Sequence, residues 1–98
     1  MSSSPRYRIK LSNRYKRDYR KLQKSHADFS RLEEVIDLLL CDQHLPERYQ
    51  DHELRGKFAG ARECHISPDW LLMYSRDEKN LVLLLLRTGT HRDVLGIE

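Results

Sequence analysis

Five residues in the second half of the chain are of the types that move protons and bind anions. In chain order they are His52, His65, Asp69, Arg87 and His91. Imidazole titrates near neutrality, so it can act as an acid or a base, and the planar guanidinium of arginine binds two phosphate oxygens at once. Cleavage of RNA without a metal uses these groups: a base takes the 2′-hydroxyl proton, an acid protonates the leaving 5′-oxygen, and a cation stabilises the charged transition state. The residue types therefore suggest a ribonuclease.

Two of these residues lie close together in sequence, where an apolar segment ends. Leu81–Leu86 is a run of six apolar residues that predicts a buried strand, and Arg87 follows it directly. His91 comes four residues later. Two plainer interpretations stay open, in which Arg87 is a solvated strand end and His91 caps a helix.

A second segment, residues 62–67, alternates in the manner of a half-buried strand. Cys64 and Ile66 share one face of this strand, while Glu63 and His65 share the other. If the first pair points to the core, His65 faces outward over the sheet.

The sequence offers little for metal or nucleophilic chemistry. Cys41 and His44 have the spacing of zinc ligands. Cys64 and His65 are adjacent in a predicted strand, so their side chains point to opposite faces and cannot readily ligate one ion. The chain has no C-x-x-C, H-E-x-x-H or G-x-S-x-G motif and no glycine-rich phosphate loop. We therefore expect no metal and no other cofactor, and we expect Cys64 to pack as a small apolar residue.

Basic residues are concentrated near the N-terminal end, although the net charge is only +3. The first 24 residues contain nine basic side chains and one acid, Asp18. This asymmetry points to a polyanionic partner, and nucleic acid fits better than a membrane because no wide apolar face accompanies the charge. The alternative is an ordinary solvated helix face. The candidate contacts to nucleic acid are Arg14, Lys16, Arg17, Arg20 and Lys21.

The N-terminal part of the chain reads as a strand followed by a helix. Tyr7, Ile9 and Leu11 alternate with basic residues, which predicts a half-buried strand. Ser12 or Asn13 can then cap the first helix.

The remaining elements complete an α+β domain. A second helix begins at Ser30 with a capping box that includes Glu33, and it ends before Pro46. Three or four strands with short connections follow, which favours antiparallel pairing, and a helical turn comes after His91. We therefore predict two helices packed on one face of an antiparallel sheet.

Length and composition fit a single small domain over residues 1–98, with residues 1–5 as a mobile leader. The two cysteines do not form the disulfide framework of a small secreted protein. No signal peptide is evident, and the longest apolar run is six residues, against the roughly 20 of a membrane helix. We expect a cytoplasmic protein that does not contact a membrane.

The second half of the chain carries a more specific pattern. The segments YQDHEL, GARECHISPDWLLMY and LLRTGTH occur in this order. They resemble, in sequence and spacing, the YafQ branch of the RelE/ParE toxin superfamily, and the helical half matches in length and pattern. The resemblance implies a RelE-like fold and a metal-independent, ribosome-dependent mRNA endoribonuclease. Such an enzyme is the toxin of a type II toxin–antitoxin pair and inhibits translation.

The resemblance also assigns functional residues, position by position. Catalytic roles fall on His52, His65, Asp69, Arg87 and His91. It implies that Arg87 reaches the scissile phosphate and that Gly89 permits a turn which brings His91 back into the same cleft.

Substrate contacts fall on Trp70, Glu63 and Leu95. Trp70 begins a predicted strand, which by itself is more typical of a core residue or a hairpin anchor than of a base-stacking surface. Glu63 stands where an aspartate is usual. Leu95 stands where an aromatic residue is usual, and leucine cannot stack on a base as phenylalanine does.

The partners implied by the resemblance are a cognate antitoxin, the ribosome and mRNA. The antitoxin is typically a ribbon-helix-helix dimer, and the toxin meets operator DNA only through it. Two alternatives remain: a ParE-like gyrase poison, which would not need the histidines, and a non-catalytic module that binds ribosomal RNA or DNA through the basic helix.

Overall fold

The computed structural model describes residues 4–95, and of Leu95 only the backbone. The predicted leader over residues 1–5 lies partly outside the described residues. The helices and strands are β1 (Arg8–Leu11), α1 (Asn13–Lys24), α2 (Ser30–Leu40), β2 (His52–Glu53), β3 (Arg62–Ser67), β4 (Trp70–Asp77), β5 (Val82–Gly89) and α3 (His91–Leu95), with 3₁₀ turns at Glu47–Tyr49 and Gly56–Phe58. This order confirms the predicted α+β fold. No helix within this described range is long and apolar enough to cross a bilayer.

The five strands form one mixed sheet in the order β1-β5-β4-β3-β2. Strands β2 to β5 pair antiparallel as predicted, but β1 runs parallel to β5. The prediction of a wholly antiparallel sheet is therefore wrong at this edge. Short turns join β3 to β4 and β4 to β5, whereas both helices separate β1 from the other strands, so no turn fixes its direction.

The two long helices cover one face of the sheet. Their buried residues pack against the inward residues of β3, β4 and β5, including Cys64 and Ile66. Cys64 and Ile66 are 0% and 1% exposed, which confirms the predicted phase of β3 and places His65 on the opposite face. That opposite face carries a smaller cluster, in which Met73 of β4 packs with Val94 of α3 and Phe58 of the second 3₁₀ turn.

Strand β1 is less buried than its alternation suggests. Ile9 and Leu11 lie opposite Leu83 and Leu85 and so point toward the helical layer, yet they are 45% and 37% exposed. Because β1 is the edge strand, the core covers these side chains from one side only. Tyr7, just before the strand, is the residue of this segment that is buried.

One helix cap is as predicted and the other is not. The Ser12 hydroxyl accepts a hydrogen bond from the Tyr15 amide at 2.9 Å and caps α1. The capping box at Ser30 is absent: the Asp28 carboxylate instead accepts from both the amide and the hydroxyl of Ser30. An aspartate two residues earlier thus satisfies this donor at the start of α2.

Helix α1 takes over the edge of β5 where β1 ends. The Ser12 hydroxyl donates to the Leu86 carbonyl at 2.7 Å, and the Asp18 carboxylate accepts from the Thr88 amide at 3.0 Å. These side chains satisfy main-chain groups that an exposed edge would leave to water. The end of β5, which leads into α3, is therefore held by α1.

Candidate active site and adjoining basic cleft

The open face of the sheet gathers three histidines and two carboxylates. The ring centroids of His65 and His91 are 5.4 Å apart, and those of His52 and His65 are 6.4 Å apart. An Asp69 oxygen lies 4.0 Å from Nδ1 of His91. The structure thus brings together four of the five residues predicted as catalytic. We call these four residues and Glu63 the histidine cluster.

Glu63 lies beneath the imidazoles rather than at the surface. It is 3% exposed, and its Oε1 is 3.7 Å from Nε2 of His52 and 3.8 Å from Nε2 of His65. Its Oε2 has no hydrogen-bond partner among the described residues. A buried carboxylate needs compensating charge or hydrogen bonds, and the two imidazoles are placed to supply them.

A separate polar network fixes the approach to His52. The Asp51 carboxylate accepts two hydrogen bonds from Arg62, at 3.2 and 3.3 Å, and one from the Tyr74 hydroxyl. Burial, together with this bond, raises the pKa of Tyr74, which keeps the hydroxyl protonated as the donor. Nδ1 of His52 lies 2.7 Å from the Gln50 carbonyl, and because a carbonyl only accepts, that nitrogen carries the proton in this bond. The other nitrogen, Nε2, then faces the cluster.

Arg87 lies on the same face but does not touch the histidines. In the sheet register Arg87 of β5 is paired with Met73 of β4, and Met73 is paired with Glu63 of β3. Arg87 is therefore two strands away from Glu63. Its Nε and Nη2 donate to Asp18 at 2.7 and 3.2 Å, and Nη2 also donates to the Asp93 carbonyl at 2.9 Å. The bonds to Asp18 raise the pKa of Arg87, so the guanidinium stays charged.

The guanidinium of Arg87 borders a cleft of about 750 Å³ between α1, α3 and the second 3₁₀ turn. The cationic residues of its lining are Arg14, Arg17, Lys57 and Arg87, and the apolar ones are Phe58, Met73, Leu86 and Val94. Asp93 is the acid of the lining, and Lys21 holds its carboxylate at 2.9 Å and lowers its pKa. We call this space the basic cleft.

The other predicted contact residues have varied settings. Lys16 and Arg20 are exposed, whereas Lys21 is engaged with Asp93. The indole of Trp70 donates to Thr88 Oγ1 at 2.8 Å, and its ring packs edge-on against Phe29 at 5.9 Å between centroids. The Leu95 side chain lies outside the described residues.

One part of the cluster has donor atoms that suit a metal ion. The ligand atoms of Glu63, His65 and His91 all lie within 4.8 Å of one another. Imidazole nitrogens and a carboxylate oxygen are ordinary ligands for zinc and copper. Cys64 does not belong to this set, because it is buried on the opposite face and burial raises the pKa of its thiol.

The sequence interpretation missed residues that hold the site in place. Asp18 organises Arg87 and the end of β5, and Asp51 fixes the start of β2. Lys57 and Phe58 line the basic cleft. Asp18 did carry a signal, since it is the one acid among the basic residues of the first 24 positions.

Comparison with known proteins gives this site a context. A family model described as the bacterial toxin YafQ of type II toxin–antitoxin systems matches residues 7–96. The chain belongs to this family. The predicted membership in the YafQ-like toxins is thereby confirmed.

Similar proteins with names or solved structures agree. The mRNA interferase toxin YafQ of Escherichia coli K12 is 38% identical over 89 residues, which is 90% of this chain and 95% of that protein. YafQ in the crystal structure of the E. coli DinJ–YafQ toxin–antitoxin complex is 36% identical with a TM-score of 0.84, covering 93% of this chain and 99% of that one. A metal-bound toxin from Helicobacter pylori is 34% identical with a TM-score of 0.85, over 90% and 98% of the two chains.

The setting of Trp70 in this YafQ-family toxin allows its two interpretations to be separated. Replacing Trp70 with Phe removes the hydrogen bond to Thr88 and keeps an aromatic ring against Phe29. We expect the free energy of unfolding in urea to fall by about 1–2 kcal/mol. If Trp70 is a hairpin anchor, mRNA cleavage by the folded variant stays near the wild-type rate.

Thr88→Val is the control, since it removes the same bond from the other side, together with the bond from the Thr88 hydroxyl to the Leu71 carbonyl, and leaves the indole in place. Because it removes two hydrogen bonds, it should destabilise the protein by more than Trp70→Phe does. A loss of cleavage of tenfold or more in Trp70→Phe, with none in Thr88→Val, would show that the indole stacks on the substrate.

Proposed function

We propose that this toxin is a ribosome-dependent endoribonuclease that cleaves mRNA by metal-independent acid–base chemistry and so inhibits translation. The observation that carries the proposal is the histidine cluster, in which three imidazoles lie close to one another beside two carboxylates. A gyrase poison or a purely binding module has no use for such a set. Family membership and the name of the E. coli relative support the same activity.

The reaction needs two proton transfers and no other reactant. A base removes the proton of the 2′-hydroxyl, and the oxygen attacks the adjacent phosphorus. The bond from phosphorus to the 5′-oxygen breaks, and an acid protonates that oxygen. The products are a 2′,3′-cyclic phosphate and a 5′-hydroxyl. His65 and His91 are close enough to serve opposite sides of one phosphate, and the Asp69 carboxylate lies beside His91.

Glu63 and Arg87 serve this chemistry without transferring the proton. The burial of Glu63 leaves little of its surface for RNA, so it acts on the substrate through the two imidazoles that it holds. Arg87 contributes positive charge from the basic cleft, where its Nη1 has no partner among the described residues. A preorganised cation is worth most where charge develops in the transition state.

The proposed partners follow from the charge distribution and the relatives. Arg14, Lys16, Arg17 and Arg20 lie on exposed surface of α1 and provide the contact to ribosomal RNA and mRNA. The place of action is the cytoplasm, where ribosomes translate. A cognate antitoxin, a ribbon-helix-helix dimer that alone contacts operator DNA, keeps the toxin inactive, as DinJ forms a complex with the E. coli relative.

Single-turnover cleavage of mRNA on programmed ribosomes tests the catalytic assignment. We expect His91→Ala to slow cleavage by about 10²–10⁴-fold, and Arg87→Ala by about 10²–10³-fold. Arg87→Lys should recover little, because an ammonium group cannot reproduce the planar fork that Asp18 now binds. His44→Ala and Arg55→Ala, both at exposed positions, serve as controls.

Arg87→Ala leaves Asp18 unpaired and is expected to lower stability as well. The double variant with Asp18→Asn removes that unpaired charge, so it should regain stability without regaining cleavage. Cleavage at wild-type rates by His91→Ala would show that the cluster is not the active site.

Metal ions are predicted to inhibit this enzyme. Zn²⁺ bound by Glu63, His65 and His91 would occupy the lone pairs that proton transfer needs. We expect zinc to stop cleavage, excess chelator to restore it, and chelator alone to leave the rate unchanged. Calorimetry should show weaker zinc binding by His91→Ala but not by His44→Ala. A rate that falls when chelator is added would contradict metal-independent catalysis.

Antitoxin binding is predicted to be driven by charge. Co-expression with the cognate antitoxin should yield a stable complex that no longer binds ribosomes. Because an acidic antitoxin segment would meet the basic residues of α1, association should slow as salt rises. Recovery of free toxin alone from the source cell, or association rates that are independent of salt, would contradict this prediction.

A further inference from the structure

The basic cleft has a lining that the histidine cluster lacks. Charged and apolar groups line it together: Arg14 and Arg17 come from α1, Lys57 from the second 3₁₀ turn, and Phe58 and Met73 are among the apolar residues that form its floor. None of the histidines lines this cleft, so it is a separate space on the same face of the sheet.

The cations of the cleft differ in whether a carboxylate already neutralises them. Arg87 is bound by Asp18. Within the described residues, Arg14, Arg17 and Lys57 have no ion pair with a carboxylate, and the acid of the lining, Asp93, is held by Lys21. Three cations therefore face the cleft without a counter-charge, which suits an anionic ligand.

The floor of the cleft suits a flat apolar group. Phe58 is partly buried and packs on the small cluster with Met73 and Val94, and its ring lies 5.2 Å from the Lys57 ammonium. An aromatic ring beside a cation is a common arrangement for holding a base next to its phosphate.

The cleft adjoins the histidine cluster through α3. His91 begins this helix at the cluster, and Asp93 and Val94 lie in the wall of the cleft. Because α3 rises only about 1.5 Å per residue, His91 at the cluster and Val94 in the wall of the cleft are separated by roughly 5 Å along the helix. A strand of RNA with its scissile phosphate at the cluster would therefore reach the cleft with an adjacent nucleotide.

Resting on the proposed function, we infer that the basic cleft is a nucleotide subsite for the RNA strand beside the scissile phosphate. The base lies against Phe58, and Arg14, Arg17 and Lys57 bind the flanking phosphates. An acidic peptide also matches the charge. RNA fits better because it has one phosphate beside each flat base, and the cleft likewise has cations beside an aromatic ring. The cleft also adjoins the histidine cluster, where cleavage is proposed to occur.

Single-turnover cleavage on programmed ribosomes tests this subsite with paired changes in protein and RNA. Phe58→Leu keeps an apolar side chain but removes the aromatic face. On ordinary mRNA it should raise the toxin concentration for half-maximal rate about five- to tenfold. An abasic residue is then placed in turn at each nucleotide flanking the cleavage point. At the position that occupies the cleft, wild-type toxin should lose a similar factor and Phe58→Leu should lose nothing further.

Lys57→Ala tests the phosphate contact. It should weaken binding and reduce the slope of log affinity against log salt by about 0.7, the value for one phosphate contact on a single strand. Lys79→Ala is the matched control, because Lys79 is exposed in the turn between β4 and β5 at the far end of these strands. It should change neither affinity nor slope.

Several outcomes would overturn the subsite. One is that Phe58→Leu loses affinity equally on every mRNA, including the one whose abasic residue occupies the cleft, which would mark Phe58 as a purely structural residue. Another is that Phe58→Leu loses no affinity at all. If wild-type toxin cleaves nothing, the proposed function fails, and the subsite is then judged by fluorescence anisotropy of a labelled 2′-O-methyl RNA pentamer. Failure of Phe58→Leu and Lys57→Ala to weaken that binding, or preferential binding of a glutamate- and leucine-containing peptide, would assign the cleft to another ligand.

Discussion

The functional face depends on the hydrogen bonds that the carboxylate of Asp18 accepts. This carboxylate accepts hydrogen bonds from the Thr88 amide and from Nε and Nη2 of Arg87. Strand β1 ends before this part of β5, so without Asp18 the amide would sit at an open edge and the guanidinium would lose the carboxylate to which it donates. Since the side chains of Asp18 and Arg87 are only 13% and 19% exposed, an unpaired charge here would be costly. Helix α1, otherwise rich in cations, thus places its one acid beside the unpaired end of β5.

From this anchored end of β5 the chain turns directly into α3, and that turn separates two kinds of chemistry. Gly89 has a φ of +145°, a conformation that side-chain-bearing residues rarely adopt, and α3 starts two residues later. His91 then lies at the histidine cluster, while the Asp93 carbonyl binds Arg87 on the side of the basic cleft. The groups proposed for proton transfer and those proposed for anion binding are therefore placed side by side by a helix of five residues.

Features of the fold and of the site could be predicted from the sequence where residues close together in the chain determine them. The phase of β3 follows from alternation within six residues, and so the outward position of His65 was predictable. The parallel pairing of β1 and the bond between Asp18 and Arg87 join residues about 70 positions apart, and no local pattern specifies either. The burial of Glu63 escaped prediction for a similar reason, since the imidazoles above it come from two different strands.

The roles of the individual basic residues were the feature that the sequence could predict least. The sequence shows nine basic residues near the N-terminus but does not distinguish a solvated helix face from a binding face. In the fold, Arg14 and Arg17 are one helical turn apart and both line the cleft with Arg87. Lys21 instead forms an ion pair with Asp93 and so holds α3 against α1. Among the cations of this helix, Lys21 is thus already neutralised by the protein, a second group, Arg14 and Arg17, faces the cleft with no carboxylate partner among the described residues, and Lys16 and Arg20 are exposed elsewhere on the surface. The second group is where an anionic ligand gains most, because binding there breaks no existing ion pair.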